Sequence, residues 1–225
     1  DDVSVNNDGS FRFATPVLSG APFAVTVKTQ PTGPAQKCTL TGDTGTVASS
    51  PVSTVAVTCT TNTYKVKGTV TGLQGSGLIL QNNLGDNLPV AIDGAFAFAT
   101  SVVSGGAYSV TVQQQPNQPT QERVVTAGAG TVTNADIADV AVTCTTLKFP
   151  VNVTVVGLTA AGLVLQNNAA DDLTMDADGQ GTFTTQIASG ATFAVTIKAA
   201  PSGNFCSVAP KSGTIGSGPA SVAVN

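Results

Sequence analysis

The stretch V-A-V-T-C-T-T, Val55 to Thr61, returns unchanged as Val140 to Thr146, and a shortened copy, Val222-Ala223-Val224-Asn225, stands at the carboxyl end. Matching positions differ by 85 residues (Cys144 minus Cys59), so the chain is an array of similar modules. Within the stretch, Val55 and Val57 alternate with Ala56 and Thr58, the two-residue period of a strand with one inward face.

Outward from this strand the copies stay in register. Gly72 to Asn83 (GLQGSGLILQNN) matches Gly157 to Asn168 (GLTAAGLVLQNN), and the segment from Asp86 matches those from Asp1 and Asp171. Ser19 to Val27 matches Ser104 to Val112 and Ser189 to Ile197, and prolines follow at Pro31 and Pro34, Pro116 and Pro119, and Pro201. Short G-T-V or G-T-I segments at Gly45, Gly130 and Gly213 lead to the closing strand. The third copy is shorter by two residues after Pro201 and by one before Val222. Phe23, Val25 and Val27, Tyr108, Val110 and Val112, and Phe193, Val195 and Ile197 alternate with small or polar residues, as half-buried strands do. Asp8-Gly9, Asp93-Gly94 and Asp178-Gly179 read as tight hairpins, and Ser-Gly at 19, 104 and 189 marks a second turn. No stretch holds a helical period. About seven strands per copy, with a turn every 8 to 12 residues, predict a two-sheet antiparallel sandwich.

Three modules follow: 1–61, incomplete; 62–146, complete; and 147–225, ending just before its expected cysteine. The inward residues of the first are Phe11 or Phe13, Phe23, Val25, Val27, Leu40, Val55 and Val57. Those of the second are Val66, Val70, Leu78, Leu80, Val90, Phe98, Tyr108, Val110, Val112, Val140 and Val142. Module one lacks the counterpart of Tyr64 to Gly85, two strands in all. Two readings of that gap stand side by side: a longer array whose preceding strands lie outside this stretch, or strands supplied by a neighbouring chain.

Charge is sparse, 10% of residues with net −4, and Lys and Arg are scattered singly. There is no basic patch to neutralise phosphates, so nucleic acid is not an expected partner. Apolar runs are far shorter than the roughly 20 residues of a membrane-spanning helix. The chain has no His, so acid–base catalysis would fall to carboxylates in turns that vary between copies, and no enzyme or cofactor is expected. Cys38 and Cys59, 21 positions apart in one module, read as a disulfide of an oxidising compartment, both sulfurs pointing toward the core. Arg123 stands where Cys38's counterpart would be, which leaves Cys144 unpaired within the chain. Cys206 is likewise unpaired, since Asn225 precedes its expected partner. Cys144 and Cys206 lie at opposite ends of module three, farther apart than the about 7 Å between Cα atoms that a disulfide spans.

Asn82, Asn83, Asp86 and Asn87, with Asn167, Asn168, Asp171 and Asp172, form the one repeated polar cluster. Calcium uses such oxygens, but Asx residues in turns also bond their own backbone, and that is the reading adopted, with no metal site. Tyr64 is placed between modules, and Lys65 and Lys148 lack the recurring Asn and acid of an isopeptide set.

The combination GLxGSGLxLQNN, an acidic turn, F-x-F, SGAxYxVTV, Q-P, a Cys and a final V-A-V-T-C resembles immunoglobulin-like repeats of bacterial secreted and cell-surface proteins. The resemblance covers the whole chain. It implies an extracellular, adhesin-like or fibre-forming role and carries over no catalytic or binding residue. The linkers T-T-N-T-Y and T-T-L-K-F are short and β-prone, which favours a stiff rod that continues as a longer array or self-associates end to end. The other class of function is an adhesin whose loops engage a surface or glycan.

Overall fold

A computed structural model describes residues 1–203 and 205–225. Among them there are twenty-four strands and no helix. The protein is all-β. The chain divides into two units. One joins Asp1–Tyr64 to Val102–Gly106 and Thr131–Ala135; the other comprises Lys65–Ser101, Ala107–Gly130 and Asp136–Asn225.

The first copy contributes β1 (Pro22–Ala24), β2 (Gln36–Thr41), β3 (Thr44–Thr46) and β4 (Ala56–Thr61), followed by the linker strand β5 (Thr63–Tyr64). The middle copy runs β6 (Val66–Thr71), β7 (Leu78–Asn82), β8 (Asp86–Val90), β9 (Gly94–Ala97), β10 (Val102–Val103), β11 (Ala107–Gln114), β12 (Gln121–Thr126), β13 (Ala129–Thr131) and β14 (Ile137–Thr146). A second linker strand, β15 (Lys148–Phe149), opens the third copy. That copy continues with β16 (Val151–Val155), β17 (Leu163–Asn167), β18 (Asp171–Met175), β19 (Gly179–Thr182), β20 (Ile187–Ala188), β21 (Thr192–Ala199), β22 (Val208–Ala209), β23 (Ser212–Thr214) and β24 (Ala220–Val224).

The middle and third copies each build two four-stranded sheets. Their orders are β13-β11-β7-β8 with β12-β14-β6-β9, and β23-β21-β17-β18 with β22-β24-β16-β19. Val66, Val70, Leu78, Leu80, Phe98, Tyr108, Val110, Val140 and Val142 are buried, while Val90 and Val112 are half-buried. In the third copy one cluster draws Val151, Val153 and Val155 from one sheet and Leu163, Leu165, Phe193 and Val195 from the other. Alternation put these side chains on one face, and burial of each contributes roughly 1.5–3 kcal/mol.

Three expectations change. The sheets are not purely antiparallel: the first strand of each copy lies beside its last in parallel, β6 on β14 and β16 on β24. The Asp-Gly pairs are not hairpins either. Gly94 and Gly179 do take φ of 139° and 148°, but β8 pairs with β7 and β9 with β6, so each Asp-Gly carries the chain from one sheet to the other. The tight connection is instead Asn83-Leu84-Gly85 between β7 and β8, with Asn83 and Leu84 left-handed at φ 49° and 59°, repeated at Asn168 and Ala169. Asparagine tolerates that conformation better than other side chains, because its short amide bonds locally.

The third change concerns the first copy, which builds only two-stranded sheets, β1 with β3 and β2 with β4. Its expected core is accordingly open: Val57 is 38% exposed, while its counterpart Val142 is 0%. Cys38 and Cys59 form the disulfide, at directly opposed positions of β2 and β4. Cys38 is buried but Cys59 is exposed, because no second sheet covers the face of β4 on which it stands.

Candidate functional site

One polar feature that recurs with the same geometry is a serine clasp on each linker. In the second unit, Leu147 sits between β14 and β15. Its N–H donates to the Thr120 carbonyl at 2.9 Å, and its own carbonyl accepts from the Ser189 N–H at 2.8 Å. Ser189 Oγ accepts from the Thr120 N–H at 2.9 Å and donates to the Gly216 carbonyl at 2.7 Å. The linker strand itself pairs with β20, Lys148 opposite Ala188 and Phe149 opposite Ile187. Within the first unit the same bonds are made by Asn62, Ala35, Ser104 and Thr133. Ala35 N–H donates to Ser104 Oγ at 2.8 Å, Asn62 N–H to the Ala35 carbonyl at 2.9 Å, and Ser104 N–H to the Asn62 carbonyl at 2.8 Å. Ser104 Oγ donates in turn to the Thr133 carbonyl.

Local sequence explains the clasp. Gly105 and Gly190 take φ of 82° and 85°, which presents the serine one residue earlier, and a Cβ on Gly190 would meet Pro119 at 3.4 Å. Pro34 and Pro119, each after a cis peptide bond, precede the Ala35 and Thr120 amides. Both serines are 5% exposed, so each hydroxyl is a buried group with its donor and acceptor roles filled. Ser19, the third member of the series, keeps the donated half, to the Ala48 carbonyl at 3.1 Å. Ser189→Ala is expected to leave the Thr120 amide and Gly216 carbonyl without that partner and to cost about 1–3 kcal/mol. Equilibrium urea unfolding reads it; an unchanged midpoint would show the clasp to be incidental.

From sequence, Ser-Gly at 104 and 189 reads only as a turn. Its recurrence together with Pro-x at an 85-residue spacing was the available signal. Tyr64, placed between modules from sequence, lies on β5 opposite Val102, and its hydroxyl is 3.4 Å from Asn62 Nδ2.

The acidic and amide residues of these turns bond backbone of other segments and neighbouring glutamine side chains, not the backbone of their own turns. Asn82 Oδ1 accepts from the Ser109 N–H, and Asn83 Nδ2 donates to the Ala107 carbonyl. Asp86 takes the Thr100 N–H at 2.7 Å, as Asp171 takes that of Thr185 and Asp1 that of Thr15. Asn87 and Asp172 accept from Gln81 and Gln166. Asn167 and Asn168 both receive the Ala194 N–H. Among the described residues no three His, Cys, Asp or Glu side chains converge in a metal-binding arrangement.

The Asp-Gly corners close on a pair of amides. Asp93 accepts from Gly72 and Leu73 at 2.8 and 2.7 Å, and Asp178 from Gly157 and Leu158 at 2.9 and 2.6 Å. The Gly157 and Leu158 amides hold the Asp178 carboxyl below its ordinary value of 3.8. Lys198 and Gln166 lower that of Asp172. A depressed native pKa means that the unfolded chain binds more protons in acid. This contribution is therefore complete above pH about 5 and lost as pH falls through the native value. Asp178→Asn is expected to flatten the acid limb of stability against pH below the ordinary carboxylate value. Thermal melts across that range check it; an unchanged acid slope would remove Asp178 from the account.

Of the remaining cysteines, Cys144 is buried, Cys206 half-buried, and both thiols are free. Cys206 packs against the core of the third copy. Arg123 lies directly opposite Cys144 on β12. Burial pushes the Cys144 thiol up, against the pull of the guanidinium, and burial lowers Arg123. Arg123 Nη2 reaches the Pro116 carbonyl at 3.5 Å, but its Nε is buried with no partner. Lys65 donates to the Ala99 carbonyl, and Lys67 pairs with Asp136. No helix of the described residues is long and apolar enough to cross a membrane.

No protein-family model matches the chain, and no curated protein matches it. Among solved structures it is similar to the Bacillus anthracis TIE protein, with a TM-score of 0.43 and 14% identity. The match covers 76% of this chain and 36% of that one, so the chain spans little more than a third of that structure's length.

Proposed function

We propose that the chain is a structural segment of an extracellular bacterial surface protein, a rod-like stalk or filament subunit built of immunoglobulin-like modules, with no catalytic role. The observation that carries this reading is the doubled serine clasp. Within the second unit the linker at Leu147 is bonded on both sides of its backbone, which favours a set spacing of the two copies it joins over free swinging. The disulfide supports an oxidising compartment. Assembly by strand complementation closes the open face of the first copy in this scheme.

Negative-stain imaging of the chain, beside versions carrying one and two extra copies of residues 62–146, tests the proposal. The expected result is a particle that lengthens by a constant increment per copy with little bending. Compact particles, or a broad spread of inter-copy angles, would overturn it. The adhesin reading rests on the exposed turn tip at Leu84, 85% accessible and left-handed. A glycan or cell-surface screen in which binding is lost on Leu84→Ser would favour it instead.

A further inference from the structure

The three closing strands differ in what lies beside them. β14 is flanked by β12 and β6, and β24 by β22 and β16, whereas β4 pairs only with β2 among the described residues. The edge of β4 that corresponds to the β6 side of β14 is therefore open, and Val57 is left 38% exposed.

The two filled edges hold strands of two different kinds. On β14 the inserted strand carries Gly68, opposite Phe96 of β9. A Cβ there would stand 2.7 Å from Phe96 Cζ and 2.0 Å from the Val140 carbonyl oxygen, so only glycine fits. The second contact arises because the ladder is irregular: Val66 pairs with Ile137 but Gly68 with Val140, one residue more on β14 than on β6. On β24 the inserted strand carries Val153 at the same place. Its cross-strand partner is Gly181, and the ladder from Val151–Ala220 to Val155–Val224 runs without a shift. Large and small side chains have changed places, and the extra residue is gone.

The first copy has both features of the glycine kind. Phe11 stands 85 positions before Phe96 and makes with Phe13 the same edge-on ring pair, centroids 6.0 Å apart at 88°, that Phe96 makes with Phe98 at 5.7 Å and 83°. Val52-Ser53-Thr54-Val55 has the length of Ile137-Ala138-Asp139-Val140, not that of Ala220-Ser221-Val222.

We infer that the open edge of β4 is a docking site for a parallel polypeptide strand of the pattern Val-x-Gly-x-Val, with its glycine opposite Val55 and beneath Phe11, and that a strand with valine in that place is rejected. The occupant is a strand of this repeat type and of the glycine kind, seated on the edge of β4 that β6 takes on β14. The inference rests on the modular reading above and specifies which kind of strand completes the first copy.

The test offers labelled peptides to the 225-residue protein and reads fluorescence anisotropy. One peptide has the sequence of residues 63–85, a second is the same with Gly68→Val, and a third has the sequence of residues 148–170. The first is expected to bind, and the other two at least tenfold more weakly. In protein carrying Phe11→Gly with Thr54 deleted, the order is expected to reverse. If the protein self-associates through this edge, the glycine peptide is expected to dissociate it in light scattering and the valine peptide to leave it intact. Equal binding of glycine and valine peptides, no binding of either, or association indifferent to both would overturn the inference. A thiol count showing Cys38–Cys59 intact assures that the first copy is folded in each arm. These outcomes leave the imaging result untouched, so the two readings fail separately.

Discussion

Arg123→Cys is expected to create a second disulfide, with Cys144, and to raise stability by about 3 kcal/mol. Arg123 and Cys144 are directly opposed on neighbouring antiparallel strands, the relation that Cys38 and Cys59 hold on β2 and β4. The loop closed has the same length as in the first copy, 21 positions. Two further terms act in the same direction. The change removes a guanidinium whose Nε is buried without a partner, a burial that costs free energy in the native state, and it takes a charge out of a half-buried place. Free thiols in the oxidised protein would fall from two, Cys144 and Cys206, to one. Denaturant unfolding with and without reductant, beside a thiol titration, checks the result. A variant that stays fully reduced under oxidising conditions, or a midpoint indifferent to reductant, would show that the strands do not sit as described.

Gly68→Val is expected to be the most damaging single change in the second unit, at about 3 kcal/mol or more. Its Cβ would collide with the Val140 carbonyl, backbone that cannot rotate away, as well as with the Phe96 ring. Overpacking of this kind typically costs about 1–3 kcal/mol when side chains alone must shift, and more when backbone must. The third copy supplies the compensation. There valine is tolerated because Gly181 replaces the ring and the facing strand is one residue shorter. The triple change Gly68→Val, Phe96→Gly and deletion of Asp139 is therefore expected to recover part of the loss. Urea unfolding of the single and triple variants reads both effects. Additivity, with the triple variant worse than the single by the sum of its parts, would mean that the three positions are not coupled.

Repetition and alternation made most of the fold legible in sequence. VAVTCTT gave the period, and its faces placed Val140 and Val142 inside, where they are 1% and 0% exposed. The Cys38–Cys59 pairing followed from two cysteines in one copy and one in the next. Pairing partners were less accessible. That β6 runs parallel to β14 is a long-range choice which the period of either strand leaves open. The Asp-Gly corners misled for a similar reason: a positive φ is demanded as much by a sheet-to-sheet crossing as by a hairpin, and the local dipeptide is the same. The clasp was half visible. Ser104 and Ser189 recur, but nothing near them in sequence says that their hydroxyls meet Ala35 and Thr120, 69 positions away. The exposure of Cys59 was not legible in sequence, because alternation assigns a face without saying whether anything lies over it.

The parallel pairing of first and last strands has a mechanical consequence. In the third copy the chain enters through Val151 and leaves through Val224, at opposite ends of one five-rung ladder, Val151–Ala220 to Val155–Val224. Tension applied between entry and exit drags the two strands along each other in opposite directions. All the rungs are then loaded together, across their length, instead of being peeled one after another from an end. The same holds for β6 against β14. A chain of such units resists extension by shear of its terminal ladders, the arrangement that yields last when a tether is pulled.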